Sequence, residues 1–138
     1  MLRPRESSSR SREPRRRLSL ASPYLLAGLL GVSGIAHFVA PAPYASIIPR
    51  VLPARTALVY LSGVAELACA VGLVLPRPRR RAGWATGALF VAVWPANLTM
   101  ALAADGRSPT YTALVWLRLP VQIPLIAWAV SVARRPEP

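Results

Sequence analysis

The chain has 138 residues, 15 prolines, a hydrophobic content of 54% and a formal net charge of +12. That length suits one small domain. So much charge and so much oil coexist only if they occupy different segments. They do: seven arginines fall within residues 1–17, and most of the remainder is long apolar stretches. A soluble globular enzyme with a large core is excluded, and a membrane protein is the leading class. The lone cysteine, Cys69, excludes an intramolecular disulfide. The lone histidine, His37, excludes a multi-His metal site within one chain.

Residues 1–17 (MLRPRESSSRSREPRRR) have no apolar periodicity and are expected to be a disordered basic tail. No aromatic residue interleaves with these arginines, so a nucleic-acid stacking platform is not expected. The tail reads instead as a topology signal and a contact for anionic lipid. Four apolar segments follow, at about 18–38, 57–75, 83–104 and 112–133. At 1.5 Å per residue each spans about 28–33 Å, the thickness of the hydrocarbon core. Only helix satisfies the backbone in lipid at these lengths. Ala40-Pro41-Ala42 spells a small-residue cleavage site after the first segment, but Pro43 would follow the cut and the apolar run is long for a signal peptide. The expected fold is therefore all-α: a four-helix transmembrane domain over residues 18–133, between the basic tail and a short tail at 134–138.

Arginine counts orient the spans. The tail holds seven, residues 76–82 four, and the C-terminus two, which makes thirteen; the other two loops hold Arg50, Arg55 and Arg107, which makes three. The positive-inside rule then puts both termini in the cytoplasm, and four spans give the matching parity. The connection at 39–56 carries four prolines, yet also Ile47, Ile48, Val51 and Leu52. It is expected to lie along the outer interface, with one short helical turn near Tyr44–Ile48. Trp84, Trp116, Tyr111 and Tyr44 lie near span ends, as an aromatic belt requires.

Polar side chains within the spans are costly unless partnered, about 2.5–3.5 kcal/mol for a central charge. They are His37, Glu66, Asn97, Arg118 and Gln122. Counted from the outer ends, Glu66 lies about 13 Å deep, Asn97 about 10 Å, and Arg118 and Gln122 about 8 and 14 Å. All five therefore fall in the outer half, and they form the candidate binding cluster. Ser62, Glu66 and Cys69 share one face of the second span, while Ser33 and His37 are one turn apart on the first. A Glu66–Arg118 ion pair is expected, either as a structural tie or as part of a ligand or proton site. Cys69 reads as a small packing residue. Pro95, Pro120 and Pro124 are expected to kink their helices and to free carbonyls, some within reach of Arg118. Gly83 and Gly87 form a GxxxG, which suits bundle packing and dimerisation alike.

The string Gly34 to Phe38 (GIAHF), with Pro41, Ile48-Pro49 and Leu52-Pro53, resembles the opening of small DoxX-like integral membrane proteins. So do Leu58 to Gly63 (LVYLSG) followed by Glu66, Gly72-Leu73, and Leu75-Pro76-Arg77. Pro95-Ala96-Asn97 with Met100-Ala101, and Trp116 to Pro120 (WLRLP) with Gln122, continue the likeness. It covers roughly residues 25–130 and leaves out the arginine-rich tail. The resemblance implies a four-helix bundle in the bacterial cytoplasmic membrane. The wider DoxX/DoxD group includes a subunit of a thiosulfate:quinone oxidoreductase.

Three functions compete. One is an accessory or binding membrane protein whose cluster takes a lipid, a quinone or a partner helix. The second is the membrane subunit of a quinone-linked oxidoreductase, which would need a redox partner, since one His and one Cys cannot carry electrons alone. The third is a small-solute or proton pathway; an apolar inner half opposes it unless a homo-oligomer completes the path. No nucleotide loop, metal cluster or catalytic triad is visible in the sequence.

Overall fold

The computed structural model describes residues 12–135, with side-chain surroundings from Ser22 onward. Among these residues all regular structure is helical: α1 (Arg12–Val39), α2 (Pro41–Ile47), α3 (Arg55–Val74), α4 (Arg79–Ala92), α5 (Trp94–Leu102) and α6 (Pro109–Ala133). Four stretches are long and apolar enough to cross a membrane: Ser22–Val39, Arg55–Val74, Arg79–Leu102 and Pro109–Ala133. The all-α architecture with four span-length apolar stretches read from the sequence is the one observed among the described residues.

Two details differ from expectation. First, α1 starts at Arg12, within the stretch read as disordered. Extending a formed helix adds one hydrogen bond per residue fixed, and Pro14 is tolerated in a first turn. The remainder of the expected tail, residues 1–11, and residues 136–138 of the C-terminal tail lie outside the described residues. Second, the third span is two helices that meet at Val93. Pro95 has no N–H to donate and its ring crowds the preceding turn, so the ladder breaks there. By contrast, α6 is one continuous helix through Pro120 and Pro124. Its start is fixed by Ser108, whose hydroxyl accepts from the Tyr111 amide at 3.3 Å, and by Pro109 at the first helical position.

The helices pack as two pairs, α1 with α3 and α4 with α6; α3 against α4 joins them, while α1 and α6 touch only sparsely. One end of the bundle carries the α3–α4 turn and the end of α6. Its core is Leu26, Ala27, Leu30, Cys69, Ala70, Leu73, Ala82, Ala129 and Val132. Small residues set this packing. A Cβ on Gly83 would lie 2.8 Å from the Ala133 backbone nitrogen, and one on Gly72 2.7 Å from the Ala82 Cβ. The Gly83–Gly87 stripe thus faces α6 of the same chain, which accounts for it as bundle packing. Cys69 is a buried member of this core.

Polar ties complete that end. Trp128 Nε1 donates to Ser22 Oγ at 2.6 Å, joining α6 to α1. Arg79 donates from Nε to the Leu73 carbonyl at 2.8 Å and from a terminal nitrogen to the Val74 carbonyl at 2.9 Å. The same guanidinium reaches the Tyr24 hydroxyl at 3.1 Å and lies 5.1 Å from the centre of that ring. Carbonyls that a helix end leaves without partners are thereby satisfied. The opposite end is built differently: the short α2 lies there against α1, α3 and α5.

Candidate functional site

The site starts from two glycines. A Cβ on Gly63 would lie 2.9 Å from the His37 Cβ and 2.8 Å from a Phe38 ring carbon. One on Gly34 would lie 3.1 Å from the Gly63 carbonyl oxygen. Without Cβ atoms here, α1 and α3 cross closely. His37, three residues after Gly34, is thereby brought against Glu66, three residues after Gly63.

Glu66 Oε2 lies 3.6 Å from His37 Nδ1. The same nitrogen is 2.7 Å from the Ser33 carbonyl oxygen. A carbonyl only accepts, so Nδ1 carries a hydrogen. The Ser33 hydroxyl is also placed to donate to Glu66. The imidazole stacks on Tyr44 of α2, with ring centres 4.1 Å apart and planes 24° from parallel. His37 and Glu66 are both buried, and Glu66 Oε2 and Ser62 Oγ have no hydrogen-bond partner among the described residues.

A second polar group comes from the other helix pair. Asn97 Nδ2 donates to Gln122 Oε1 at 2.7 Å. Gln122 Nε2 in turn donates to the Phe90 carbonyl oxygen, close to the α4–α5 break. Every heteroatom of the Gln122 side chain is thus committed. The broken helix supplies the acceptor and α6 supplies the donor.

Between the two groups lies a cavity of about 580 Å³, lined by all five of the polar residues singled out from the sequence: His37, Glu66, Asn97, Arg118 and Gln122. This volume falls within the range of small-molecule sites, about 300–1,000 Å³. Leu29, Leu30, Leu89, Phe90, Val121 and Leu125 form apolar walls, and Tyr44, Ile47 and Ile48 close one side from α2 and the residue after it.

The expected Glu66–Arg118 ion pair is not the arrangement observed. Glu66 is partnered by His37, while Arg118 acts on its charge only from beyond contact distance. Arg118 is an exposed residue of α6 and makes no hydrogen bond or ion pair with the described residues. The carbonyls left without N–H partners by Pro120 and Pro124 do not receive it. The connection after α1 does hold the expected short helix, but its apolar side chains are divided. Ile47 and Ile48 line the cavity, whereas Val51 is 88% exposed. Tyr44, assigned from the sequence to an aromatic belt, is the ring partner of His37. The Phe90 carbonyl escaped the sequence reading altogether; Pro95 removes the N–H that would reach the Val91 carbonyl, so the sequence marks the break close by but not this acceptor. Among the described residues no three His, Cys, Asp or Glu side chains come together.

Fold and cavity together define an all-helical protein with four stretches able to cross a membrane and a polar-lined pocket between them. The chain belongs to the family described as a domain of unknown function (DUF8561), which it matches over residues 26–133. No curated protein and no solved structure matches it.

Proposed function

We propose that this chain is a DoxX-like multi-pass protein of the bacterial cytoplasmic membrane, acting as an accessory or binding subunit that holds a small amphipathic molecule in its intramembrane cavity. The observation that carries this reading is the convergence of the five polar residues on one apolar-walled space. The residues that carry the DoxX resemblance gather there as well: Gly34 and His37, Gly63 and Glu66, Asn97, Arg118 and Gln122. A polar cluster serving only to hold helices together would leave no room at its centre; this one borders a ligand-sized volume.

Both termini face the cytoplasm in this reading, and the cavity lies in the outer leaflet. The support is the arginine distribution, thirteen against three. Labelling of a Ser108→Cys variant tests the orientation, and buried Cys69 does not compete for the reagent. Reaction with an impermeant maleimide from outside the cell is expected; labelling only after lysis reverses the topology.

The binding role is tested by extracting the protein with its native lipids and applying mass spectrometry and an optical spectrum to the extract. One co-purifying amphiphile per chain is expected, and it should be lost when Ala96→Phe fills the cavity. An Ala96→Phe protein with an unchanged extract counts against the site. A stoichiometric quinone in the spectrum would move the reading to the membrane subunit of a quinone-linked oxidoreductase.

A further inference from the structure

Resting on the binding role just proposed, we infer that the cavity takes a single-chain amphiphile with an anionic oxygen head, a carboxylate or a phosphate monoester. Arg118 holds the head, and the chain lies along Leu29, Leu30, Phe90 and Leu125.

The argument is one of charge and unfilled donors. A guanidinium carries five N–H donors and keeps its charge in any protein environment. Arg118 lies nine residues into α6, about 13 Å along the helix axis from its start. At such a depth hydrocarbon offers no acceptor and a charge is costly. The chain supplies no acceptor either: Arg118 has no hydrogen bond or ion pair with the described residues. Arg79 shows what an arginine of this protein does when it is structural. It binds two carbonyls, a hydroxyl and an aromatic face.

The other polar groups of the cavity are bonded elsewhere than to Arg118. Glu66 and His37 lean on each other at 3.6 Å. That contact occupies the carboxyl group within the α1–α3 pair and leaves it without a bond to Arg118. Asn97 and Gln122 are neutral and bonded to each other. The Arg118 guanidinium therefore borders the cavity with its donors unfilled, beside the apolar walls formed by Leu29, Leu30, Phe90 and Leu125. Ligands that are polar at one end and aliphatic at the other match this division. An oxyanion matches the planar donor fork of arginine better than an amine or a hydroxyl does.

Full-length protein in phosphatidylcholine nanodiscs should be titrated with hexadecanoate, hexadecyl phosphate, hexadecanol and hexadecylammonium, with bound ligand counted by native mass spectrometry. At least one of the two anions should bind about tenfold tighter than hexadecanol, the difference expected of a charge-assisted contact. Hexadecylammonium should bind weakest. Arg118→Gln should bring the anion down to the affinity of the alcohol and leave the alcohol unchanged, and Arg118→Lys should restore part of the preference. Arg107→Gln, which alters a loop arginine lying over Tyr111, should keep the preference intact. Equal affinity for all heads, or an anion preference that survives Arg118→Gln, overturns the inference while the cavity remains a binding site. If no amphiphile binds, both the inference and the binding role fall.

Discussion

The two ends of this bundle are built from similar residues to opposite effect. At one end small side chains remove space: Gly72 meets Ala82, Gly83 meets the backbone of Ala133, and Leu26, Leu30 and Leu73 are almost entirely buried. At the other end the same device, the Gly34–Gly63 crossing, draws α1 and α3 together but leaves α4, α5 and α6 standing off across a cavity. The difference traces to the helix break at Val93 and to the polar side chains around it. A continuous helix packs along its whole length, whereas a broken one turns aside and needs side chains to satisfy its loose carbonyls. Close packing supplies stability at one end. Committed polar side chains keep the other open.

The largest effect should come from filling the tight end. Gly83→Ala places a methyl 2.8–2.9 Å from backbone and side-chain atoms of Ala133. No rotamer change relieves a clash with backbone, so the loss should be about 2–3 kcal/mol, measured by unfolding in detergent. Gly87→Ala is the internal control: its Cβ would sit 3.7–3.9 Å from Val130 and Ala129, which is ordinary contact. Equal losses at the two positions would mean that the close approach of α4 and α6 is not what holds this end.

At the open end, Gln122→Leu strands the Asn97 amide and the Phe90 carbonyl together. Leaving buried polar groups unpaired costs about 1–3 kcal/mol. Adding Asn97→Leu should recover part of the loss, because it removes one of the stranded groups. Additive losses from the two changes would show that the amides do not act as a unit.

The next effect is a coupling, and it separates the observed arrangement from the one expected from sequence. A double-mutant cycle between His37→Phe and Glu66→Gln should give an interaction of about 1–2 kcal/mol, as for neighbours in one network. The cycle between Glu66→Gln and Arg118→Gln should give less than about 0.5 kcal/mol, as for sites without direct contact. A larger coupling to Arg118 would restore the direct ion pair.

That exchange of partners marks how far the sequence could be read. The four spans were legible because length and apolarity are properties of contiguous residues. So was the convergence of the cluster: counting along the four segments grouped His37, Glu66, Asn97, Arg118 and Gln122, and all five line one cavity. Azimuth is another matter. Whether Glu66 meets His37 or Arg118 depends on how each helix is rotated and which pairs cross closely, and that rests on contacts such as Gly34 with Gly63. The helix break could be suspected from Pro95, but the same reasoning would have broken α6 at Pro120 and Pro124, where the helix continues. The inward turn of Tyr44 and Ile47 was hidden because proline-rich sequence says where a chain bends and not which way.

The smallest effect on stability should be at Arg118 itself, and its smallness is the point of comparison with Arg79. Arg79→Gln removes a guanidinium that closes the end of α3, so a loss of about 1 kcal/mol is expected. Arg118→Leu removes a guanidinium with no hydrogen bond or ion pair to the described residues. Its effect should stay within about 0.5 kcal/mol, as for substitutions away from any structural feature. An arginine within a helix long and apolar enough to cross a membrane that adds nothing to the stability of its own fold is available to the ligand proposed above. A loss at Arg118→Leu as large as that at Arg79→Gln would instead make both arginines structural and remove the functional contrast between the two ends.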